Sequence, residues 1–145
     1  MSRTPSGSPN TRHRERLCIV VACEDAAEAA QMGRRISQVH TGTLVTYRRA
    51  EDILTNSPAG RVALIILSAE DEPTRIGKTL AWMRRRWPQC PVTVVGNEGG
   101  TALEMAARTG GATYLTRPVG PDEWAAMVKH VLAMHGQVAT EVELG

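Results

Sequence analysis

The side chains best suited to chemistry sit in short polar segments: Cys23-Glu24-Asp25, Ser68-Ala69-Glu70, Gly96-Asn97 and Arg117-Pro118. Glu24, Asp25 and Glu70 offer carboxylates to the Arg117 guanidinium, whose planar fork suits pairing with an acid or binding an anion. Ser68 offers a hydroxyl, read first as a hydrogen-bonding filler at a strand end and second as a site of modification. Each segment follows an apolar run, and open α/β sheets carry their functional sites outside the carboxyl ends of the strands.

Other chemistries are poorly served. The cysteines Cys18, Cys23 and Cys90 are odd in number and lack the CxxC spacing of a zinc knuckle or the framework of a small secreted domain. Cys18 reads as a buried reduced thiol, and Cys23, at a strand mouth, as the more accessible one. His13, His40, His130 and His135 show no HExxH or matched metal spacing. Asn97-Glu98-Gly99-Gly100 is glycine-rich but is neither a GxGxxG nor a P-loop. The run Arg84-Arg85-Arg86-Trp87 suggests a nucleic-acid patch, but consecutive helical residues point in different directions. It reads instead as a solvated helix end favoured by the helix dipole.

The elements that position these segments follow from hydrophobic pattern. Leu17 to Ala22 and Val62 to Leu67 are continuous apolar runs, as in strands covered on both faces. Thr43 to Tyr47 is more polar and suits an edge, while Pro91 to Val95 and Thr113 to Thr116 complete the strands. Between them, helices are predicted from about Ala26 to Val39, with Asp25 as cap, and from Arg49 to Thr55. A third carries the stripe Ile76, Leu80, Met83 and Trp87 and stops before Pro88. Further helices run from Thr101 to Arg108 and from Pro121 to Met134, the last burying Trp124, Met127, Val128, Val131 and Leu132. Strands alternating with helices imply a doubly wound, five-stranded parallel sheet in one domain.

At 145 residues the chain suits a single core. Residues 1–15, rich in Ser, Pro, Gly and Arg, read as a disordered tail, 16–135 as the domain, and 136–145 as a fraying tail or the start of a linker. The net charge of +2 gives no global attraction to nucleic acid or an anionic membrane. No apolar run approaches the length of a membrane span and no signal segment is evident, so a cytoplasmic location is expected.

With those residues in place, the chain resembles the receiver domain of two-component response regulators (CheY-like), over roughly residues 16–135. The most specific piece is Gly110-Gly-Ala-Thr-Tyr-Leu-Thr-Arg-Pro118, which is similar to the family's Gly-Ala-x-x-Tyr-Leu-x-Lys-Pro with a loop one residue shorter. The resemblance implies a sheet of order 2-1-3-4-5. It also implies an acidic pair holding Mg²⁺, an aspartate that takes the phosphoryl group, a switch Thr or Ser, and a Lys-Pro pair often joined by a cis bond. Pro73 and Gly77 match the family's proline and glycine and place the phosphoacceptor position at Ala69. The acidic pair falls on Glu24 and Asp25 if the first helix is registered on Met32 and Ile36, or on Ala22 and Cys23 if the strand is registered instead. Gly96 takes the switch position and Arg117 that of the lysine, with Pro118 kept.

The resemblance therefore implies a receiver whose phosphoacceptor pocket (Glu24, Asp25, Ser68, Ala69, Glu70, Gly96, Arg117, Pro118) has lost its chemistry. An alanine methyl cannot form an acyl phosphate, and its loss of a carboxylate removes an oxygen ligand from Mg²⁺. No catalytic activity, cofactor or Mg²⁺ is expected. Arg117 is expected to pair with Glu24, Asp25 or Glu70. The expected partner is a protein or a second copy, met through the face of the fourth helix, fifth strand and fifth helix, where Glu104, Arg108, Tyr114 and Trp124 lie. Tyr114 resembles the family's aromatic switch residue, and its plain structural reading is a ring packed on the fourth helix. Alternatives are a regulator phosphorylated at a displaced acid such as Glu70 and controlling transcription, or a small nucleic-acid binder. Direct nucleic-acid binding is the weaker, with DNA control left to a domain beyond Gly145 or a partner.

Overall fold

A computed structural model describes residues 17–40, 42–70 and 72–144. Five strands, β1 (Leu17–Ala22), β2 (Thr43–Tyr47), β3 (Arg61–Ser68), β4 (Val92–Gly96) and β5 (Thr113–Thr116), alternate with five helices. The helices are α1 (Ala26–Ser37), α2 (Ala50–Thr55), α3 (Pro73–Arg86), α4 (Thr101–Thr109) and α5 (Pro121–Leu144). All pairings are parallel and the sheet order is β2-β1-β3-β4-β5, as expected. Residues 1–15 of the predicted tail lie outside the described residues.

Burial follows the apolar pattern. β3 is buried from Val62 to Leu67 and β4 throughout, whereas β2, on the edge, alternates between exposed and half-buried residues. Pleating sends alternate side chains to two cores. On one face Val20, Ile65, Leu67 and Val94 pack with Ile53 of α2, Ile76, Leu80 and Met83 of α3, and Leu103 of α4. On the other, Ile19, Val21, Leu64 and Ile66 pack with Met32 and Ile36 of α1 and Trp124, Val128 and Val131 of α5. The helices cover both faces because each parallel crossover must lay an apolar stripe on the sheet.

Local chemistry sets the ends. Asp25 caps α1, its carboxylate accepting from the Glu28 N–H at 2.9 Å. Pro73 opens α3, where its missing N–H costs nothing, and the helix stops at Arg86, just before Trp87-Pro88. After α4 the chain turns at Gly111, whose φ of +85° favours glycine. A side chain there would also strike the Arg84 guanidinium, which donates to the Gly110 carbonyl at 2.9 Å and ties α3 to this turn. The largest departure in extent is α5, whose backbone stays helical to Leu144 rather than ending near Met134. Residues 136–144 of the expected tail are thus helical backbone, with no Pro among them to interrupt the helix.

Candidate functional site

The carboxyl ends of β1, β3, β4 and β5 bring the polar segments together. β5 ends in Arg117, joined to Pro118 by a cis peptide bond, and the Arg117 N–H donates to the Gly96 carbonyl at 2.8 Å. Its guanidinium then reaches across the sheet ends. Nε donates to Glu28 Oε2 at 2.5 Å, Nη2 to Ser68 Oγ at 2.5 Å and Nη1 to Asn97 Oδ1 at 3.0 Å. Ser68 Oγ donates in turn to Glu28 Oε1 at 2.7 Å, and the Cys23 thiol donates to the same oxygen at 3.3 Å. A charge-assisted network thus ties α1, β3, β5 and the β4–α4 loop to one another.

The electrostatics follow from these contacts. The Glu28 and Arg117 side chains are only 23% and 21% exposed. Burial alone would push the Glu28 carboxyl up, but hydrogen bonds from Arg117, Ser68 and Cys23 and the Arg117 charge together hold it below its ordinary value. Burial raises the Cys23 thiol, and although the Ser68 contact opposes this, the Glu28 carboxylate reinforces it. At 4% exposure Cys23 is not the accessible thiol anticipated. The chain bends into α1 directly after β1 and covers the sulfur, which also donates to the Asp25 carbonyl. Cys18 is fully buried, as expected.

The expected partners of Arg117 need correcting. Glu24, Asp25 and Glu70 are all exposed, and the Asp25 carboxylate is occupied by the α1 cap. Glu28, one turn into α1 and half-buried over the strand ends, pairs with Arg117 instead. A signal for it is present in the sequence: with Asp25 as cap, Glu28 is the capping-box acid, whose side chain turns back toward the helix start. Here it turns back to Arg117. Asn97 belongs to the network as well.

Ala69 follows β3, its N–H donating to the Val95 carbonyl at 2.9 Å, and presents only a methyl group. It lines a small cavity of about 90 Å³ with Glu24, Asp25, Ser68 and Glu70, while Arg117 and Pro118 line a second, wider one. Asp25, Glu28 and Glu70 line both cavities. Of the donors for the Mg²⁺ that the resemblance implies, Ala69 supplies no carboxylate, and one oxygen of Asp25 already accepts from the start of α1. Among the described residues no group of three or more His, Cys, Asp or Glu could hold a metal ion.

Gly96 is buried at the end of β4. A Cβ there would meet the Tyr114 hydroxyl and would lie 2.8 Å from both Tyr114 Cζ and Leu103 Cδ2. The Tyr114 ring fills that space, 8% exposed within the core beside Leu103 and Ala107 of α4, and its hydroxyl donates to the Asn97 carbonyl at 3.2 Å. The packed reading of Tyr114 therefore holds. Trp124, at 4% exposure, lies in the α1–α5 core and not on the outer face: it begins the buried stripe of α5 continued by Val128 and Val131. Glu104 and Arg108 remain on the surface as an ion pair at 2.9 Å, with Met105 between them 65% exposed.

No known family's sequence profile matches the chain, and no curated protein matches it in sequence. Solved structures do match in shape. The signal receiver domain of an HD domain-containing protein from Pseudomonas fluorescens superposes with a TM-score of 0.71 at 20% identity, covering 85% of this chain and 91% of that one. A CheY-like response regulator receiver domain protein from Methanospirillum hungatei gives a TM-score of 0.71 at 14% identity, covering 84% and 98%. A CheY-like protein (tadZ) from Pseudomonas aeruginosa gives 0.67 at 15% identity, covering 79% and 98%. The chain has the CheY-like receiver fold.

Proposed function

We propose that this chain is a receiver-like signalling domain that works through protein contacts, without conventional aspartyl phosphorylation and without Mg²⁺. The observation that carries this reading is the Arg117 guanidinium, engaged by Glu28, Asn97 and Ser68, the last of which is followed in the chain by the methyl group of Ala69. An incoming phosphoryl group would find no acceptor carboxylate at that position. To recruit the arginine it would also have to displace a half-buried carboxylate already bound to it. The internal ion pair holds the strand ends together in place of a bound anion.

The working surface in this reading is formed by α4, β5 and α5. Met105, exposed beside the Glu104–Arg108 pair, supplies an apolar contact there for a second copy or another protein. We place the domain in the cytoplasm, a reading that fits its free cysteines. No helix among the described residues is long and apolar enough to cross a membrane.

Glu70 is the specific competitor, because it is exposed and borders both cavities. Intact-mass measurement after treatment with acetyl phosphate and Mg²⁺ decides between the two. No stable gain in mass is expected. A gain that disappears in Glu70→Gln would replace this reading with a displaced-acceptor regulator.

A further inference from the structure

α3 carries a second surface feature unrelated to the strand-end pocket. Its inward stripe, Ile76, Leu80 and Met83, is buried in the core, yet Trp82 on the outer side is 44% exposed. Arg85 and Arg86 follow Trp82 at i+3 and i+4, so the three share one face of the helix. Across from them, Leu54 and Thr55 of α2 complete a shallow open groove, with Glu51 at its margin. The exposed indole and the half-buried Leu54 make a small apolar surface that a partner side chain could cover.

The charges around the groove are unequal. The Glu51 carboxylate accepts from Arg75 at 3.0 Å and is already paired. Arg84 is turned away, donating to the Gly110 carbonyl. Arg86, which lines the groove, has its guanidinium 4.9 Å from the centroid of the Trp87 ring, a contact that leaves its charge unneutralised. Arg85 and Arg86 appear in no ion pair among the described residues. The groove thus has an apolar floor of Trp82 and Leu54, a positive end, and one acid already matched to a base.

We propose that this α2–α3 groove docks an acidic, amphipathic segment of a partner protein. An apolar side chain of that segment lies on Trp82 and Leu54, and its carboxylates meet Arg85 and Arg86, in the helix-in-groove manner. Nucleic acid fits less well. Two cations neutralise few phosphates, and Glu51 sets a carboxylate against a passing backbone. The surface is separate from the α4–β5–α5 face, so it stands or falls independently of the reading above.

The test uses a synthetic helical peptide with leucines along one face and glutamates along the other. It is titrated into the full chain while the indole N–H resonances of the three tryptophans are followed. Saturable movement of the Trp82 signal is expected, weakening as salt rises. Trp82→Ala, and separately Arg85→Glu with Arg86→Glu, should each reduce affinity at least about tenfold, or roughly 1.4 kcal/mol. Each variant's melting temperature is recorded to confirm that these exposed substitutions leave the fold intact. Absence of saturable binding overturns the proposal, as does binding undiminished by both variants. Equal binding of a peptide with lysines in place of the glutamates also overturns it, and so does tighter binding of oligouridylate through the same residues.

Discussion

Glu28 decides the character of the strand-end site, because it gives Arg117 an internal counter-charge. Replacing it by Gln would leave a guanidinium that is about four-fifths buried facing a neutral amide. The pair lies between an exposed bridge, worth up to about 1 kcal/mol, and a fully buried one, whose breaking costs about 3–5 kcal/mol. A loss of about 1–3 kcal/mol is expected for Glu28→Gln in chemical denaturation at neutral pH. The pH dependence has a definite sign. A carboxyl held below its unfolded value contributes its stability in full above that value, 4.5, and loses it as pH falls through the folded-state value. Wild type should therefore lose stability more steeply than Glu28→Gln as the solution is acidified below 4.5. Parallel acid limbs for the two proteins would show that the pair contributes nothing.

At the scale of elements, the absence of a side chain at Gly96 couples β4, α4 and β5. Tyr114 of β5 occupies the space a Cβ would need, and Leu103 of α4 closes it from the other side. Gly96→Thr should therefore cost about 1–3 kcal/mol by overpacking. It should also drive the Tyr114 ring outward, seen as loss of its contacts to Leu103 and Ala107 in nuclear Overhauser spectra. An unmoved ring in a stable variant would show that β4 yields instead. The element boundaries that were legible in the sequence rest on local rules: Asp25 before α1, Pro88 closing α3, and polar residues along the edge strand β2. The full length of α5 was not legible, since the weak periodicity after Met134 speaks to packing and not to whether the backbone stays helical.

For the whole molecule, function by contact requires a surface that another chain can cover. Met105, on α4, is the most exposed large apolar side chain among the described residues, and the proposed contact surface includes it. Sedimentation equilibrium is expected to show a dimer that Met105→Glu converts to monomer, with the melting temperature changed little because the residue supports no core. A dimer of equal strength in both proteins would place the contact elsewhere. Of the two sequence-based placements of Trp124, the buried face of the last helix agrees with the structure and the outer face does not. Position 124 starts the same stripe as Val128 and Val131, and that stripe faces the sheet.

From the sequence alone came the order of elements, the parallel sheet, the two-sided burial of β1 and β3, and the small apolar residue, Ala69, that follows β3. All of these depend on residue type and short-range spacing. The pairing of Glu28 with Arg117, 89 residues apart, was decided only by tertiary structure, as were the closing of Tyr114 over Gly96 and the grouping of Trp82 with Leu54. Periodicity names the face of a helix on which a side chain stands. Only the packing of that helix against the rest of the chain selects the partner it meets among several of suitable charge.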